Sequence, residues 1–499
     1  MFDQAERIFE APLQYRNFIS GEFTDALEGG VISRESPAHG RMVSQYPAST
    51  RADAEAAIAA ARESFDAGRW AFAYGGERAK VLREVAQSLR RNADDLALVE
   101  TLETSKPLAA SRGEVLFAAE LWDYAAGLAR ILHGDSHNTL GEDMLGLVLR
   151  EPIGVVGIIT PWNFPLLILS ERLPFALAAG CSVVVKPSEF TSGTALMLGR
   201  YLKDAGLPDG VCNIIAGTGD QVGQAILDSP DVDMVAFTGS TRVGRVAIAA
   251  SAGNIKKLSL ELGGKSPSIV FADCDQEAAI DGVIKAATIN MGECCIAGSR
   301  LLVEASVAEA FQNGLAERLQ ELRMGDPLDP TSRIGAIINR AQFDRIAESV
   351  RDGVRDGARI VCGGDPENHQ GLFYPPTVLA DVKPGMSVAR QEIFGPVLAV
   401  MPFGDLEEAI GFANDSDYGL AAYVWTNDLS KALTCSRRIR AGRVWVNSAL
   451  QGYPELPLGG FKQSGNGRET GRYGIEEYTE LKSVHLHIGP QAERWVEGA

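Results

Sequence analysis

Residues 154–186 read GVVGIITPWNFPLLILSERLPFALAAGCSVVVK, and this stretch contains the pattern that decides the fold. An almost wholly apolar run at 154–160 and a second run at 182–185 flank an Ala-rich segment at 173–179. Short apolar runs of this kind are typical of strands buried on both faces of a parallel sheet, and the Ala-rich segment has the spacing of a helix. The stretch therefore predicts one strand–helix–strand unit.

The same alternation extends outward in both directions. The predicted elements are a strand at 144–149, a helix at 194–204, a strand at 212–216, a helix from about Gln221 and a strand at 234–237. A helical region precedes them, and a second alternating set, with an apolar helix near 280–290, begins at Ser268. We predict an α/β protein with a doubly wound parallel sheet. The alternating segment 482–488 predicts an exposed edge strand that another subunit could extend.

Composition and charge exclude several classes of protein. The chain has 499 residues, of which 45% are hydrophobic and 22% charged, as in ordinary globular proteins. The formal net charge of −18 repels phosphate backbones and anionic headgroups, so we expect neither nucleic acid nor membrane as a partner. No apolar run approaches the length of a membrane span, and the N-terminus lacks a signal-peptide core.

The cysteines and histidines make a metal centre or a disulfide framework unattractive. Seven cysteines are scattered without C-x-x-C pairs, which fits reduced thiols in the cytoplasm. His485 and His487 would share one face of a strand but have no third ligand beside them. We therefore predict no metal and a cytoplasmic location.

Several short segments follow predicted strands, where ligands bind in open α/β sheets. Glycine-rich turns at 217–223 and 239–244 would suit a pyrophosphate, although each also fits an ordinary turn between strand and helix. Lys186 and Glu189 follow the strand at 182–185 and would suit ribose hydroxyls, or would simply begin a helix.

Two kinds of reactive side chain stand beside glycines. Cys294 and Cys295 lie in a turn of small residues, where backbone dipoles can stabilise a thiolate, although most cysteines are inert core residues. Glu261 precedes two glycines and is a candidate general base, or a solvated surface carboxylate. Taken singly, each of these segments leaves both readings open.

The order of six segments settles the interpretation. They are Pro161-Trp-Asn-Phe-Pro165, Lys186-Pro-Ser-Glu189, Phe237-Thr-Gly-Ser-Thr-Arg-Val-Gly244, Leu260-Glu-Leu-Gly-Gly264, Gly292-Glu-Cys-Cys295 and Glu392-Ile-Phe-Gly-Pro396. In this order they resemble the NAD(P)-dependent aldehyde dehydrogenase superfamily across essentially the whole chain. Residues 140–152 are also similar to bacterial betaine aldehyde dehydrogenase-like members.

The resemblance implies covalent catalysis. Cys295, the second residue after the Gly-Glu pair, matches the family's nucleophile, whereas Cys294 matches a variable position. Asn163 and the backbone N–H of Cys295 would stabilise the oxyanion of a thiohemiacetal. After hydride transfer, Glu261 would activate the water that hydrolyses the thioester to the carboxylic acid.

The resemblance also implies a cofactor site for NAD, with NADP disfavoured because Glu189 would repel a 2′-phosphate. The implied contacts are Lys186 and Glu189 with the adenosine ribose, Gly239 and Ser240 with the pyrophosphate, Trp162 near the nicotinamide end, Glu392 with the nicotinamide ribose, and Phe394 beside the nicotinamide ring.

By the same resemblance the chain has three parts. A Rossmann-like cofactor domain comprises residues 1–129 and 149–259, an α/β catalytic domain comprises 260–474, and a small β oligomerisation arm comprises 130–148 and 475–499. Family members assemble through this arm, so we expect a homodimer or a homotetramer.

The predicted substrate is a small-molecule aldehyde. By alignment, its tunnel includes Tyr124, Phe164, Glu171, Tyr453 and Glu455. Carboxylates and aromatic faces there would suit betaine aldehyde or an aminoaldehyde. The alternatives are that Glu171 pairs with Arg172 or another cation and Glu455 is solvated, and that the substrate is a neutral aliphatic or aromatic aldehyde.

Three other functions compete with aldehyde oxidation. A non-redox cysteine hydrolase would need a His partner and no ribose-binding pair, a catalytically dead relative would have lost the thiol or the base, and a CoA-acylating relative would lack the carboxylate at Glu261. The retained residues argue against all three.

Overall fold

The main sheet contains the strand–helix–strand unit of residues 154–186. The computed structural model describes residues 1–364, 371–490 and 496 of the chain. Across the sheet the eight strands follow the order Gly465–Asn466, Lys257–Glu261, Met234–Thr238, Val155–Ile159, Ser182–Lys186, Cys212–Ile214, Asn17–Ile19 and Glu22–Thr24. Every residue of the three middle strands is buried, as their apolar runs require. The five strands from Lys257–Glu261 to Cys212–Ile214 run parallel to one another.

A second sheet of seven strands follows in the later half of the chain. Its order is Arg359–Cys362, Thr377–Ala380, Val397–Phe403, Arg300–Glu304, Pro267–Val270, Ala421–Trp425 and Arg443–Val446. Only the Arg359–Cys362 edge strand pairs in the antiparallel sense. The predicted α/β fold with parallel sheets is confirmed.

Three smaller sheets complete the strand pairing. In one of them Thr479–His487 pairs with Met144–Pro152, which pairs in turn with Asp135–His137. The remaining strands are Leu13–Gln14, Met42–Pro47 and Val31–Glu35 in a three-stranded sheet, and Tyr418–Gly419 with Phe461–Lys462 in a two-stranded one. Most of Thr479–His487 is exposed, and it lies at an edge of its sheet as predicted for segment 482–488.

Helices cover both faces of the large sheets. The α-helices are Phe2–Glu10, Arg51–Asp66, Gly75–Arg91, Ala93–Thr104, Leu108–Ile131, Pro165–Ser170, Leu173–Ala179, Gly193–Asp204, Gln224–Asp228, Thr241–Ser251, Gln276–Thr288, Ala308–Gln320, Arg340–Arg355, Ser387–Arg390, Leu406–Asn414, Leu429–Arg438 and Gly471–Glu477. No helix in the described part of the chain combines the length and apolar character that crossing a bilayer requires.

Two predicted helices differ from the observed ones. The segment from Gln221 begins as a π-helical turn at Gly219–Gly223 before the α-helix Gln224–Asp228. The apolar helix predicted near 280–290 is Gln276–Thr288, because Ile289 leaves the helical conformation and the chain enters the left-handed region at Asn290.

The parallel register aligns the carboxyl ends of neighbouring strands. Ile159 lies opposite both Lys186 and Phe237, and Thr238 lies opposite Glu261. Residues far apart in sequence therefore meet at one edge of the sheet, where such folds bind ligands.

The chain returns to the main sheet late, because Gly465–Asn466 pairs with Lys257–Glu261. Apart from Gly465–Asn466, every strand of the main sheet comes no later in the chain than Lys257–Glu261, and every strand of the seven-stranded sheet comes no earlier than Pro267–Val270. The limits of the cofactor domain, catalytic domain and arm stay a prediction, and residues 491–495 and 497–499 of the arm lie outside the described residues.

Candidate active site

A strained backbone turn presents the Cys294–Cys295 pair. After helix Gln276–Thr288, Asn290 has φ 47° and Met291 has φ 54°, and Gly292 follows with φ 71°. Non-glycine residues in the left-handed region carry strain that the surrounding structure must offset, and such residues cluster at functional sites. The turn reverses the chain, so that Cys295 faces a cavity.

Gly292 is required at this turn. A Cβ there would lie 2.3 Å from the carbonyl carbon and oxygen of Gly395. The cysteine turn thus packs directly against the Glu392–Pro396 segment, which also reaches the cavity. In that segment Phe394 has φ 57°, and its carbonyl accepts a hydrogen bond of 2.6 Å from Nε2 of Gln342.

The two adjacent thiols are unequal. Cys294 is buried, whereas Cys295 is partly exposed to the cavity. A hydrogen bond with the Cys294 thiol, burial and the carboxylates of Glu261 and Glu392 raise the pKa of Cys295 well above its ordinary value. The free thiol is therefore protonated at neutral pH, and a base or a bound ligand must favour its ionisation.

The Asn163 side chain is fixed beside the cysteine turn. Its Nδ2 donates a hydrogen bond of 2.9 Å to the backbone carbonyl of Glu293 and makes no other hydrogen bond among the described residues. Asn290 Nδ2 donates to the carbonyl of Asn163 at 2.9 Å. One N–H of the Asn163 amide therefore remains available in a cavity that Cys295 also lines.

Glu261 ends a strand inside a buried cluster of carboxyl groups and arginines. It is 5% exposed, and its Oε1 has no hydrogen-bond partner among the described residues. Burial and the nearby Glu469 raise the pKa of Glu261 well above its ordinary value, and Arg172 acts in the opposite direction. Arg172 forms an ion pair with Glu469. A carboxyl group whose pKa is raised in this way is a stronger base than a free carboxylate and can exchange a proton with a nearby water.

A first cavity of about 260 Å³ collects most of the predicted residues. Cys295, Glu261, Asn163, Trp162, Gly239, Ser240, Glu392 and Phe394 all line it. The rings of Trp162 and Phe394 meet edge to face, with centroids 5.5 Å apart. Oε1 of Glu392 accepts a hydrogen bond of 2.9 Å from the N–H of Gly264. The ends of two main-sheet strands, at Thr238 and Glu261, therefore form this cavity together with loops and a helix from the later half of the chain.

The surroundings of this cavity fit a dinucleotide. Ser240 caps helix Thr241–Ser251, whose N-terminal N–H groups favour a phosphate. Lys186 ends the strand that neighbours Val155–Ile159, and its Nζ lies 3.4 Å from Oε2 of Glu189. Burial lowers the pKa of Lys186 below its ordinary value, and the nearby Glu189 only partly opposes this effect. A buried ammonium group beside a partly exposed carboxylate can donate to and accept from vicinal hydroxyls.

A second cavity, of about 320 Å³, lies on the other side of Cys295. Cys295 and Ile168 line both cavities. Most of the side chains that line this second cavity are aromatic or aliphatic, among them Phe117, Phe164, Leu167, Ile289, Trp445 and Leu458. Three charged residues, Glu114, Glu171 and Arg443, also line it. This composition is typical of a pocket for a small, largely apolar molecule.

Of the five predicted substrate residues, only Phe164 and Glu171 line this cavity. Tyr453 is 54% exposed, Glu455 is also exposed, and Tyr124 packs against Phe175 with ring centroids 6.3 Å apart. Burial raises the pKa of Tyr124, and Glu455 adds to the increase, so these two lie near each other but outside the cavity wall.

The sequence reading missed several residues of the site. Segments without a local motif contribute Arg443 to the second cavity, Gln342 and Arg345 to the first, and Lys106, which donates a hydrogen bond to the carbonyl of Asn163. Arg172, the alternative partner for Glu171, forms its ion pair with Glu469. The described residues contain no group of three or more His, Cys, Asp or Glu side chains that could hold a metal ion.

Comparison with known proteins identifies the class to which this fold and site belong. The family model described as the aldehyde dehydrogenase family matches residues 23–484. The chain belongs to the aldehyde dehydrogenase family and is an enzyme of that class, as the six segments indicated.

Individual relatives have different named substrates. The chain is 39% identical over 482 residues to betaine aldehyde dehydrogenase of Bacillus subtilis, covering 96% of this chain and 98% of the relative. It is 41% identical to human retinal dehydrogenase 2, covering 94% and 91% of the two chains. Retinal and betaine aldehyde differ greatly in size and charge. These similarities therefore support an aldehyde as the substrate class but do not select a particular aldehyde.

Solved structures show the same overall architecture. An NAD-dependent aldehyde dehydrogenase from Sinorhizobium meliloti has a TM-score of 0.96 at 48% identity, covering 98% of this chain and 97% of that one. An indole-3-acetaldehyde dehydrogenase in complex with NAD+ has a TM-score of 0.95 at 42% identity, covering 97% and 99%.

Proposed function

We propose that this protein oxidises an aldehyde to the carboxylic acid with NAD, through a thiohemiacetal and then a thioester on Cys295. The observation that carries the proposal is that Cys295 lies in the wall of both cavities. A thiol in this position separates the first, more polar cavity, named here the cofactor-side cavity, from the second, more apolar one, named the aldehyde-side cavity. The nucleophile can therefore bond to an aldehyde on one side while facing a hydride acceptor on the other.

The side chains around Cys295 support one role each. The thiolate attacks the carbonyl carbon, and the carbonyl electron pair moves onto oxygen. The free N–H of Asn163 and the backbone N–H of Cys295 would stabilise that oxyanion; one such donor is typically worth about 3 kcal/mol. Glu261 would take a proton from the water that cleaves the thioester, which releases the acid and the thiol.

NAD would lie in the cofactor-side cavity and its continuation toward Lys186. When bound, it accepts the hydride of the thiohemiacetal. Gly239 and Ser240 would hold the pyrophosphate at the helix N-terminus, and Lys186 and Glu189 the adenosine ribose. Glu392 would hold the nicotinamide ribose beside Trp162 and Phe394. The carboxylate of Glu189 favours NAD over NADP.

The identity of the aldehyde has two candidates. A trimethylammonio- or aminoaldehyde is supported by Glu171 in the cavity and by the likeness to a betaine aldehyde dehydrogenase. A neutral aldehyde is supported better, because Arg443 shares the wall with Glu171 and the other predicted acid, Glu455, lies outside it.

The experiment is the absorbance of NADH during incubation with NAD and a panel of aldehydes, with NADP in parallel. Acid formation in equal amount to NADH is expected. NADH production that requires CoA, or acyl transfer without NADH, would contradict the proposal. The panel should include betaine aldehyde and its uncharged isostere 3,3-dimethylbutanal.

Assembly and location remain part of the proposal. The exposed edge of strand Thr479–His487 supports a homodimer or homotetramer formed through the arm, 130–148 with 475–499. All seven cysteines are free, which supports a cytoplasmic location.

A further inference from the structure

Two residues of opposite charge, Glu171 and Arg443, line the aldehyde-side cavity. Among the described residues, no oppositely charged group lies within 4 Å of either one. The third charged residue of the cavity, Glu114, pairs with the buried Lys106. Glu171 and Arg443, in contrast, form no salt bridge with any described residue. The carboxyl group of Glu171 also accepts no hydrogen bond there. Both nevertheless face the cavity that reaches Cys295.

The backbone fixes the two side chains from opposite directions. Glu171 directly follows helix Pro165–Ser170, and its N–H donates to the carbonyl of Leu167 at 2.9 Å. Arg443 begins the edge strand Arg443–Val446 of the second sheet. One terminal nitrogen of its guanidinium donates to the carbonyls of Leu456 and Pro457, both at 3.2 Å. The other N–H groups of the guanidinium make no hydrogen bond among the described residues.

The two charges interact with each other. Burial lowers the pKa of Arg443, and Glu171 opposes this more strongly than any other charge. Burial and Glu469 raise the pKa of Glu171 to about 8, whereas Arg443 lowers it. Once Glu171 is ionised, above that pKa, each side chain therefore partly compensates the charge of the other, while both retain hydrogen-bonding capacity toward the cavity.

We propose that Glu171 and Arg443 form a charge-balanced recognition pair that selects an uncharged aldehyde with a hydroxyl or carboxamide group on an apolar body. This inference rests on the proposed aldehyde oxidation and names its substrate class. A hydroxyl group can donate to the carboxyl of Glu171 and accept from Arg443 at the same time. A substrate with an ammonium group is repelled by Arg443, and a substrate with a carboxylate is repelled by Glu171. Neither ion is therefore compensated for the hydration that it loses on entering the cavity.

The aromatic wall suits the apolar body of such a substrate. Phe117, Phe164 and Trp445 line the cavity, and the guanidinium of Arg443 lies 5.5 Å from the ring centroid of Trp445. Arg443 thereby lies over an aromatic face, and the N–H groups of its guanidinium that make no hydrogen bond among the described residues are available to a ligand.

The test uses four meta-substituted benzaldehydes, with ethyl, hydroxymethyl, carboxylate and trimethylammonio groups. We would measure kcat/KM for each at a pH above the pKa of Glu171, where both side chains are charged, in the wild type, Glu171→Gln, Arg443→Gln and the double variant. Comparing one substrate between variants cancels the electronic effect of its substituent. Arg443→Lys is the matched control, because it retains the charge, and thermal unfolding checks that every variant is folded.

In the wild type, the hydroxymethyl compound should be preferred over the ethyl compound and over both ions. Relative to the ethyl compound, Glu171→Gln should raise kcat/KM for the carboxylate about tenfold, and Arg443→Gln should raise it for the trimethylammonio compound by a similar factor. The double variant should lose the preference for hydroxymethyl. Equal changes for both ions in each single variant would overturn the inference, as would a wild type that prefers either ion. If no aldehyde produces NADH in the wild type, the proposed function itself fails.

Discussion

The ammonium group of Lys106 donates a hydrogen bond of 3.0 Å to the backbone carbonyl of Asn163. Lys106 is fully buried, pairs with Glu114 and lies 4.2 Å from the ring centroid of Phe164. A buried cation thus holds the peptide group of the residue that we assign to the oxyanion. Its role is to position Asn163, because it acts through that residue's backbone.

Replacing Lys106 by Met should lower kcat/KM about 100-fold, because Asn163 loses a fixed position and Glu114 loses its counter-ion. The loss should be mainly in kcat, with the affinity for NAD measured by fluorescence titration unchanged. Lys106→Arg is the control and should recover part of the rate. A Met variant whose kcat equals that of the wild type would show that Asn163 needs no such support.

Cys295→Ala should abolish aldehyde oxidation, with a loss of at least ~10⁴-fold, while NAD still binds. Cys294→Ala should retain most of the activity, since this buried thiol does not face the cofactor-side cavity. Steady-state NADH production by the two variants decides the assignment. The opposite result would place the nucleophile at Cys294.

The rate should rise with pH. The pKa values of Cys295 and Glu261 are both raised, and both groups must lose a proton to act, so each becomes active only at a higher pH than the free side chain. We expect kcat/KM to increase from neutral into alkaline pH. In Cys294→Ala the rising limb should move to lower pH, because the hydrogen bond that contributes most to the raised pKa of Cys295 is lost. An unmoved limb would exclude Cys295 as the titrating group.

Glu261→Gln should give a burst of NADH followed by slow turnover. The thioester can still form, whereas the water that cleaves it is no longer deprotonated. Stopped-flow absorbance would show a burst close to one NADH per active site. Steady turnover at the wild-type rate would remove Glu261 from the hydrolytic step.

Glu189→Gln should improve the use of NADP relative to NAD by about tenfold. The carboxylate repels a 2′-phosphate, and Lys186, 3.4 Å away, would then interact with that phosphate unopposed. The ratio of kcat/KM for the two cofactors measures the effect. Equal ratios in variant and wild type would show that Glu189 turns away from the ribose.

Local pattern was sufficient for the elements that build the main sheet. The apolar runs at 154–160 and 182–185 became fully buried strands, and helix Leu173–Ala179 has the predicted limits. These features depend on burial and periodicity, which the residues themselves carry. The ordered segments were likewise sufficient for the family, whereas the assignment of Cys295 stays a prediction.

The turn that exposes Cys295 could not be predicted from residue preferences. Met291 adopts φ 54°, which an unbranched apolar residue disfavours, because Gly292 packs against the backbone of Gly395. The strain is imposed by contacts between segments about a hundred residues apart. It is a property of the assembled site.

Tertiary structure alone decided which charged residues meet around the aldehyde. Sequence placed Glu455 and Tyr453 in the tunnel wall, but the structure leaves them exposed and brings Arg443 to face Glu171. It also brings Lys106 to Asn163, 57 residues away. Side-chain partners of this kind depend on how one sheet packs against the other, and no local pattern records that packing. The chain by itself therefore determined the fold and the family, while long-range packing determined the electrostatics of the cavity that contains Glu171 and Arg443.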